Sequence, residues 1–181
     1  MSGAPVKSRR WAEVALFALL GFVSIGLPLV PMGLAANSVA FPDVMFCLFG
    51  AWIIRRPDSS PLLVIVFLAV LADALMMRPL GLWALLLFVG TEVLRVSLRA
   101  FRDIPFVLEW LYIGALLAFM LLLQNFLLFA SFDSAYGFSE VATHWLRTVA
   151  SYPVVVAILH WGFRVRALKK DKRPNRLGYV L

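Results

Sequence analysis

The sequence has little of the charge that a soluble domain of its length carries on its surface. Only 15% of its 181 residues are charged, and only 10 residues are acidic. Hydrophobic residues make up 62% of the chain, and its mean hydropathy is +0.90. A globule of 20.2 kDa has too little interior to remove so much apolar surface from water. The composition therefore excludes a small soluble domain, and the same hydrophobicity excludes a disordered chain.

Cysteine and histidine are also scarce, which removes several classes of site. Cys47 is the only cysteine, so the chain is not a disulfide scaffold. His144 and His160 are 16 residues apart, and on one helix this spacing puts them on nearly opposite faces, where they cannot share a metal ion. The motifs of zinc proteases, serine hydrolases and P-loop proteins are absent. We therefore predict no enzyme activity, no bound metal and no cofactor.

Long apolar runs dominate what the sequence does contain. At about 20 residues for each bilayer crossing, six crossings use most of the chain and leave two tails and five short loops. The predicted spans are 11–30, 38–54, 61–77, 80–94, 105–130 and 141–163. The third and fourth spans are separated by a tight hairpin at Arg78-Pro79-Leu80-Gly81. The fold class predicted is therefore an all-α polytopic membrane domain over residues 11–163, between basic tails at 1–10 and 164–181.

The basic residues predict the orientation of these spans. Of the 17 lysines and arginines, 15 lie in the two tails and in the loops after the second and fourth spans. Arg78 alone lies on the opposite side, and Arg147 lies within the sixth span. Because lysine and arginine are retained in cytoplasmic loops, both termini are predicted to be cytoplasmic.

The same distribution explains the net charge of +7 as a topology signal, with no need for nucleic acid as a partner. Anionic lipid is a second expected partner of the basic tail at 164–181. We expect the first apolar run to be retained as a span, because it is longer than the core of a signal peptide and contains Glu13.

Acidic residues within the spans are the strongest candidates for a site, because a charge in hydrocarbon is costly unless it is paired. Glu13, Glu92 and Glu109 are expected to form interfacial ion pairs with nearby arginines, namely Arg9, Arg10, Arg95 and Arg99. Asp73 is predicted to lie deeper, at about the depth of Arg147 in the sixth span. One interpretation is an Asp73–Arg147 ion pair that locks the third span to the sixth. The other is that each side chain reaches the outer surface separately, with Asp73 directed towards Arg78.

Tryptophans near the predicted span ends are typical of anchors at the membrane surface. They are Trp11, Trp52, Trp110, Trp145 and Trp161. No G-x-x-x-G motif is present to predict a helix-pairing face.

Short motifs between residues 42 and 95 resemble those of one known family. They are Pro42-Asp43 entering the second span, Trp52 near its end, Arg55-Arg56-Pro57 in the next loop, Pro61-Leu62-Leu63 starting the third span, Asp73 near its end and Pro79-Leu80-Gly81 at the hairpin. Their order resembles the rod shape-determining protein MreD family of bacterial inner-membrane proteins. The six-span, basic-tailed arrangement is similar over the whole chain. Met76-Met77-Arg78 departs from the small glycine and serine residues expected before the hairpin proline.

The resemblance implies a noncatalytic scaffold of the cell-elongation (peptidoglycan synthesis, rod-shape) machinery in the bacterial cytoplasmic membrane. MreD-like proteins associate with the bitopic protein MreC, with the glycosyltransferase RodA and its penicillin-binding transpeptidase, and indirectly with the MreB filament. Partner contacts are then expected at lipid-facing or loop positions among the motif residues, such as Trp52, Arg55, Arg56 and Pro79.

The family also looks similar in fold to the substrate-binding subunits of energy-coupling-factor vitamin transporters. This similarity leaves a second interpretation open, a solute-binding subunit with an outward cavity whose polar contact is Asp73 or Arg147. The scarcity of polar side chains deep in the spans and the short external loops favour the scaffold.

Overall fold

A computed structural model describes residues 6–29, 41–77, 79–100, 105–131 and 136–162. Six α-helices make up most of this part: α1 (Val6–Gly26), α2 (Val44–Arg55), α3 (Leu62–Leu75), α4 (Leu82–Ala100), α5 (Phe106–Ala130) and α6 (Phe138–Trp161). Two short 3-10 turns, Leu27–Leu29 and Pro57–Ser59, follow α1 and α2. The described residues include no strand, so the predicted all-α class is confirmed for them.

The helices follow the predicted apolar runs in order, but several bounds differ. α1 begins at Val6 instead of Trp11, and α4 continues to Ala100, beyond the predicted end at Leu94. α4 extends beyond the predicted span because charged residues are compatible with a helix when they pair along one face, as Glu92 and Arg95 do. α2 begins only after Asp43, and residues 38–40 of the second predicted span lie outside the described residues.

α2 is the central helix of the bundle. Ten of its 12 residues are buried, and it packs against α1, α4 and α6. Around it, α3 packs against α1 and α4, and α5 packs against α4 and α6. A helix that is apolar on all sides is stable in such an enclosed position. The remaining helices therefore form the outer layer.

Aromatic rings and glycines set the spacing of this core. The Phe17 ring centroid lies 5.1 Å from that of Phe49 and 5.4 Å from that of Trp52, which joins α1 to α2. At Gly21 a Cβ atom would lie 2.6 Å from Leu68 Cδ1, so this glycine permits the close approach of α1 and α3.

The outer layer exposes large apolar side chains on all five of its helices. Examples are Phe22 on α1, Phe67 on α3, Leu85 on α4, Phe126 on α5 and Val154 on α6. Within the described residues, α5 alone is long and apolar enough to cross a membrane, with a mean hydropathy of 2.2, while α2 and α3 are apolar but shorter. The prediction of six crossings therefore stays a prediction.

Candidate functional site

Arg55 and Glu109 form a buried ion pair at the end of the bundle where α2 ends and α5 begins, which we call the Arg55 end. Arg55 Nη1 lies 3.1 Å from Glu109 Oε1 and also donates to the Ala51 carbonyl at 3.0 Å. The Tyr152 hydroxyl donates to the same Glu109 oxygen at 2.5 Å. One carboxylate on α5 therefore holds a side chain of α2 and a side chain of α6.

The turn after α2 is fastened to α1 by a second carboxylate. Glu13 Oε2 accepts a hydrogen bond from the Ser59 hydroxyl at 2.5 Å, and Glu13 Oε1 lies 3.1 Å from Arg56 Nη1. Ser59 is buried, although it lies in a connecting segment. A short polar turn is thus held inside the bundle by its hydrogen bonds.

α4 reaches the same turn through Arg95. Arg95 Nη2 donates to the Ser60 carbonyl and to the Ser60 hydroxyl, the latter at 3.1 Å, and Arg95 Nε lies 3.3 Å from Glu92 Oε1. Residues 55–60 therefore bind α1, α4 and α5 directly and α6 through Glu109. We call these side chains the Arg55 network: Glu13, Arg55, Arg56, Ser59, Ser60, Glu92, Arg95, Glu109 and Tyr152.

Each of the three glutamates forms an ion pair with an arginine, as predicted, and two of the pairs in the described part of the chain use arginines other than the predicted ones. The Glu92–Arg95 pair is confirmed. Glu109 pairs with Arg55, and Glu13 pairs with Arg56, neither of which was among the predicted partners. The reason is tertiary, because α2 ends in the centre of the bundle and brings its two arginines towards α1 and α5.

Asp43 and Thr148 join α2 to α6 at the opposite end of α2, which we call the Asp43 end. Asp43 Oδ1 caps α2 by accepting from the Phe46 backbone N–H at 2.9 Å. The Asp43 backbone N–H donates to Thr148 Oγ1 at 3.0 Å, and Cys47 Sγ donates to the Thr148 carbonyl at 3.3 Å. The Pro42-Asp43 motif therefore starts the central helix and fixes it to α6.

Asp73 closes the hairpin between α3 and α4. Its carboxylate is 0% exposed, and Oδ2 accepts from the backbone N–H groups of Gly81 at 3.0 Å and Ala84 at 3.1 Å. A carboxylate in this position satisfies free amides at the start of α4 and interacts favourably with the helix dipole. The turn it closes contains left-handed backbone at Met77, with φ of 52°, and at Gly81, with φ of 87°. We call this arrangement the Asp73 clasp.

The packing of the helices bears on the predicted Asp73–Arg147 ion pair without testing it. The helices in extensive contact with α3 are α1 and α4, whereas those in extensive contact with α6 are α2 and α5. The ion pair stays a prediction. The bonds to Gly81 and Ala84 give Asp73 a role that its depth in the span does not indicate.

Two of the motif residues expected at lipid-facing or loop positions are buried. Trp52 is 0% exposed and packs on Phe17, and Arg55 is buried against Glu109. Their predicted exposure is wrong because α2 is enclosed by the other helices. Arg56 is half-buried, and Pro57 and Pro79 are exposed in turns.

The other predicted anchor tryptophans lie nearer the surface. Trp11 and Trp161 are exposed, whereas the indole N–H groups of Trp110 and Trp145 donate to the carbonyls of Val149 and Gly114 between α5 and α6. Only part of the aromatic content therefore forms a surface layer.

Thr148 joins α6 to α2 at the Asp43 end, and Tyr152 joins α6 to Glu109 of α5 at the Arg55 end, but the apolar pattern does not predict either residue. The one available signal is a hydroxyl side chain within an otherwise apolar run. A buried hydroxyl needs a hydrogen-bond partner, which tertiary structure supplies.

A cavity of about 480 Å³ opens at the Asp43 end, between the end of α1, the start of α2, the end of α3, α4 and α6. Its polar lining includes Asp43 and His144, and its apolar lining includes Trp83. Neither Asp73 nor Arg147 is among the lining residues, so the cavity differs from the one that the solute-binding interpretation predicts. Among the described residues, no group of three histidine, cysteine, aspartate or glutamate side chains is placed to hold a metal ion.

Comparison of the chain with protein-family models, with curated proteins and with solved structures finds no match.

Proposed function

We propose that the protein is a multi-pass protein of the bacterial cytoplasmic membrane, with six crossing helices and both termini in the cytoplasm. The apolar outer face of the bundle supports this proposal. On α5, the side chains of Phe119, Phe126 and Phe129 are 64%, 64% and 72% exposed. A continuous apolar face of this kind is unfavourable in water and favourable in hydrocarbon. Cytoplasmic ends are favoured by the positions of the arginines and lysines.

The short central helix is compatible with this arrangement. Twelve residues of α2 rise only about 18 Å, less than the roughly 30 Å of a hydrocarbon core. A short helix with turns at its ends is tolerated at membrane depth where protein surrounds it. The burial of α2 and of Ser59 and Ser60 meets this condition.

We further propose that the protein is a noncatalytic scaffold of the cell-elongation machinery, similar to MreD. The observation that carries this proposal is that several motif residues join separate segments of the chain. Asp43, Arg55, Arg56 and Asp73 each bind another segment of the same chain. Polar groups that hold helices together make a rigid platform.

The proposed partners are an MreC-like bitopic protein and the RodA glycosyltransferase with its penicillin-binding transpeptidase, with the MreB filament as an indirect partner. A transmembrane helix of such a partner would pack against the exposed apolar face of α5. Anionic lipid is proposed to contact the basic C-terminal tail.

Depletion in a rod-shaped bacterial host tests the scaffold. We expect rounded and widened cells, and we expect the tagged protein to retain an MreC-like protein or the RodA–transpeptidase pair after mild solubilisation. Two leucine variants of α5 separate loss of partner binding from loss of folding. Leu122→Ala changes the exposed face and is expected to weaken partner binding, whereas the control Leu117→Ala changes the core and is expected to weaken folding. Cells that keep their rod shape after full depletion would rule out the scaffold.

A solute-binding subunit of a vitamin-type transporter is the second candidate. The cavity at the Asp43 end favours it, although neither Asp73 nor Arg147, the polar contacts predicted for this function, lines the cavity. This function would require a bound nutrient, association with a cytoplasmic ATPase module and growth that depends on the nutrient. The second proposal would replace the first if the protein is isolated together with such a module and if cells depleted of the protein keep their normal shape.

A further inference from the structure

The cavity at the Asp43 end has the size and walls of a small-molecule site. Its volume of about 480 Å³ lies within the range of about 300 to 1,000 Å³ typical of ligand pockets. Three methionines, Met45, Met76 and Met77, are among the lining residues. Methionine side chains adapt their shape to apolar ligands, so these walls suit an apolar body without fixing its outline.

One polar group of the lining residues has unused hydrogen-bonding capacity. Asp43 uses Oδ1 to cap α2, while Oδ2 accepts no hydrogen bond from the described residues. A carboxylate oxygen in this state is a strong acceptor for a donor or cation of a ligand.

We propose that this cavity binds a small, largely apolar molecule whose head group donates a hydrogen bond or a positive charge to Asp43. An alcohol or an amine has this chemistry. A carboxylate head group is disfavoured, because it would place a second negative charge beside Asp43. The proposal requires neither transport nor the scaffold role, so its outcome is independent of both.

Three probes with one body and different heads test the proposal: 4-phenylbutanol, 4-phenylbutylamine and 4-phenylbutyrate. The full-length protein in lipid nanodiscs is dialysed to equilibrium against each probe, with protein-free nanodiscs as the blank. We expect saturable binding of the alcohol and the amine and a Kd for the butyrate about tenfold higher or more. Absence of saturable binding by all three probes would overturn the proposal.

Asp43→Asn separates the role of Asp43 in binding from its role in folding. Asparagine is as good a helix cap as aspartate, so α2 keeps its start. Only the charge is lost, and we expect the preference for the amine over the butyrate to shrink to about threefold or less. An unchanged preference would show that Asp43 does not face the ligand.

Two further variants locate the binding. Met76→Trp fills the cavity and is expected to abolish binding, while Leu122→Trp on the outer face of α5 is expected to leave it unchanged. Equal binding by the Met76→Trp variant and the wild-type protein would place the probes outside the cavity. If Met76→Trp lowers the unfolding temperature, its loss of binding could come from unfolding, and the change of probe preference in Asp43→Asn then decides whether the probes bind in the cavity.

Discussion

At the scale of the residue, buried charge is used here to join helices. Arg55, Glu109 and Tyr152 come from three helices and meet at a single carboxylate oxygen. An ion pair of this kind adds little net stability compared with an apolar core, but the loss of one partner leaves the other charge buried. A single substitution is therefore expected to lower the free energy of unfolding by more than the intact ion pair contributes to it.

Glu109→Gln is expected to lower the free energy of unfolding by about 3 kcal/mol, because Arg55 then lacks a compensating charge. Equilibrium unfolding in detergent or bicelles measures this change. Glu140→Gln is the matched control, because Glu140 is exposed at the start of α6. Tyr152→Phe removes one hydrogen bond and is expected to cost about 1 kcal/mol. Equal stability of the Glu109→Gln and Glu140→Gln variants would contradict a structural role for the pair.

The exchange Asp73→Arg with Arg147→Asp distinguishes the Asp73 clasp from the predicted ion pair. An arginine at position 73 cannot accept the N–H groups of Gly81 and Ala84, so we expect the exchange to recover none of the stability lost in Asp73→Arg. Asp73→Ala alone is expected to cost about 1 to 2 kcal/mol through loss of the cap. Abundance in the membrane and unfolding measure both effects. Partial recovery by the exchange would establish the ion pair instead.

At the scale of the element, close approach of helices depends on where glycine lies. A Cβ atom at Gly21 on α1 would lie 2.6 Å from Leu68 Cδ1 of α3 and 3.4 Å from Phe49 Cε1 of α2, whereas nothing lies within 4 Å of the Cβ position at Gly26. The two glycines are on the same helix, Gly21 in its interior and Gly26 at its last residue, and they differ in these neighbours. They form an internal comparison of packing.

Gly21→Ala is therefore expected to destabilise the bundle by about 1 to 3 kcal/mol, because the new methyl group overpacks α1 against α3. Gly26→Ala is expected to leave stability nearly unchanged. Thermal unfolding of the two variants in the same detergent gives the comparison. A smaller loss for Gly21→Ala than for Gly26→Ala would mean that Leu68 moves aside without cost.

The order and number of the helices in the described part of the chain could be predicted from apolar runs, but the lengths of these helices could not. The predicted fourth span ends at Leu94, just before Arg95, whereas α4 continues to Ala100 because paired charges such as Glu92 and Arg95 favour a helix. Trp52 shows a related limit. Its position near a span end indicates an anchor, yet it lies in the core, because burial depends on which helix occupies the centre.

At the scale of the whole molecule, the two ends of the bundle differ in chemistry. The Arg55 end contains the network of arginines, glutamates and serines, and the Asp43 end contains the cavity. The candidate residues in the motifs could be identified from sequence through the resemblance to a family, and all of them except Trp52 are polar or turn formers. Their partners come from distant positions such as Tyr152 and Thr148, which one-dimensional periodicity does not reveal.

Labelling of the two ends of α6 tests the proposed topology. In a Cys47→Ser background, Ser139→Cys is expected to react with an impermeant maleimide added to intact cells, and Trp161→Cys is not. Both positions are exposed in the structure, so reactivity depends on the side of the membrane. A permeant maleimide should label both and serves as the control. Labelling of Trp161→Cys alone would mean that the orientation is opposite to the proposed one.

Residues 55–60 also impose an order on biogenesis. Arg55 leaves the ribosome more than fifty residues before Glu109, its partner in the finished bundle. A nascent chain that ends after α4 therefore holds an arginine at the end of α2 whose neutralising carboxylate has not yet been made. In the proposed membrane arrangement, such an intermediate is favoured to stay beside the insertion machinery or its water-filled channel until α5 arrives, and Tyr152 completes the joint only with the last helix. A chain truncated before α5 should therefore be a substrate for membrane proteases.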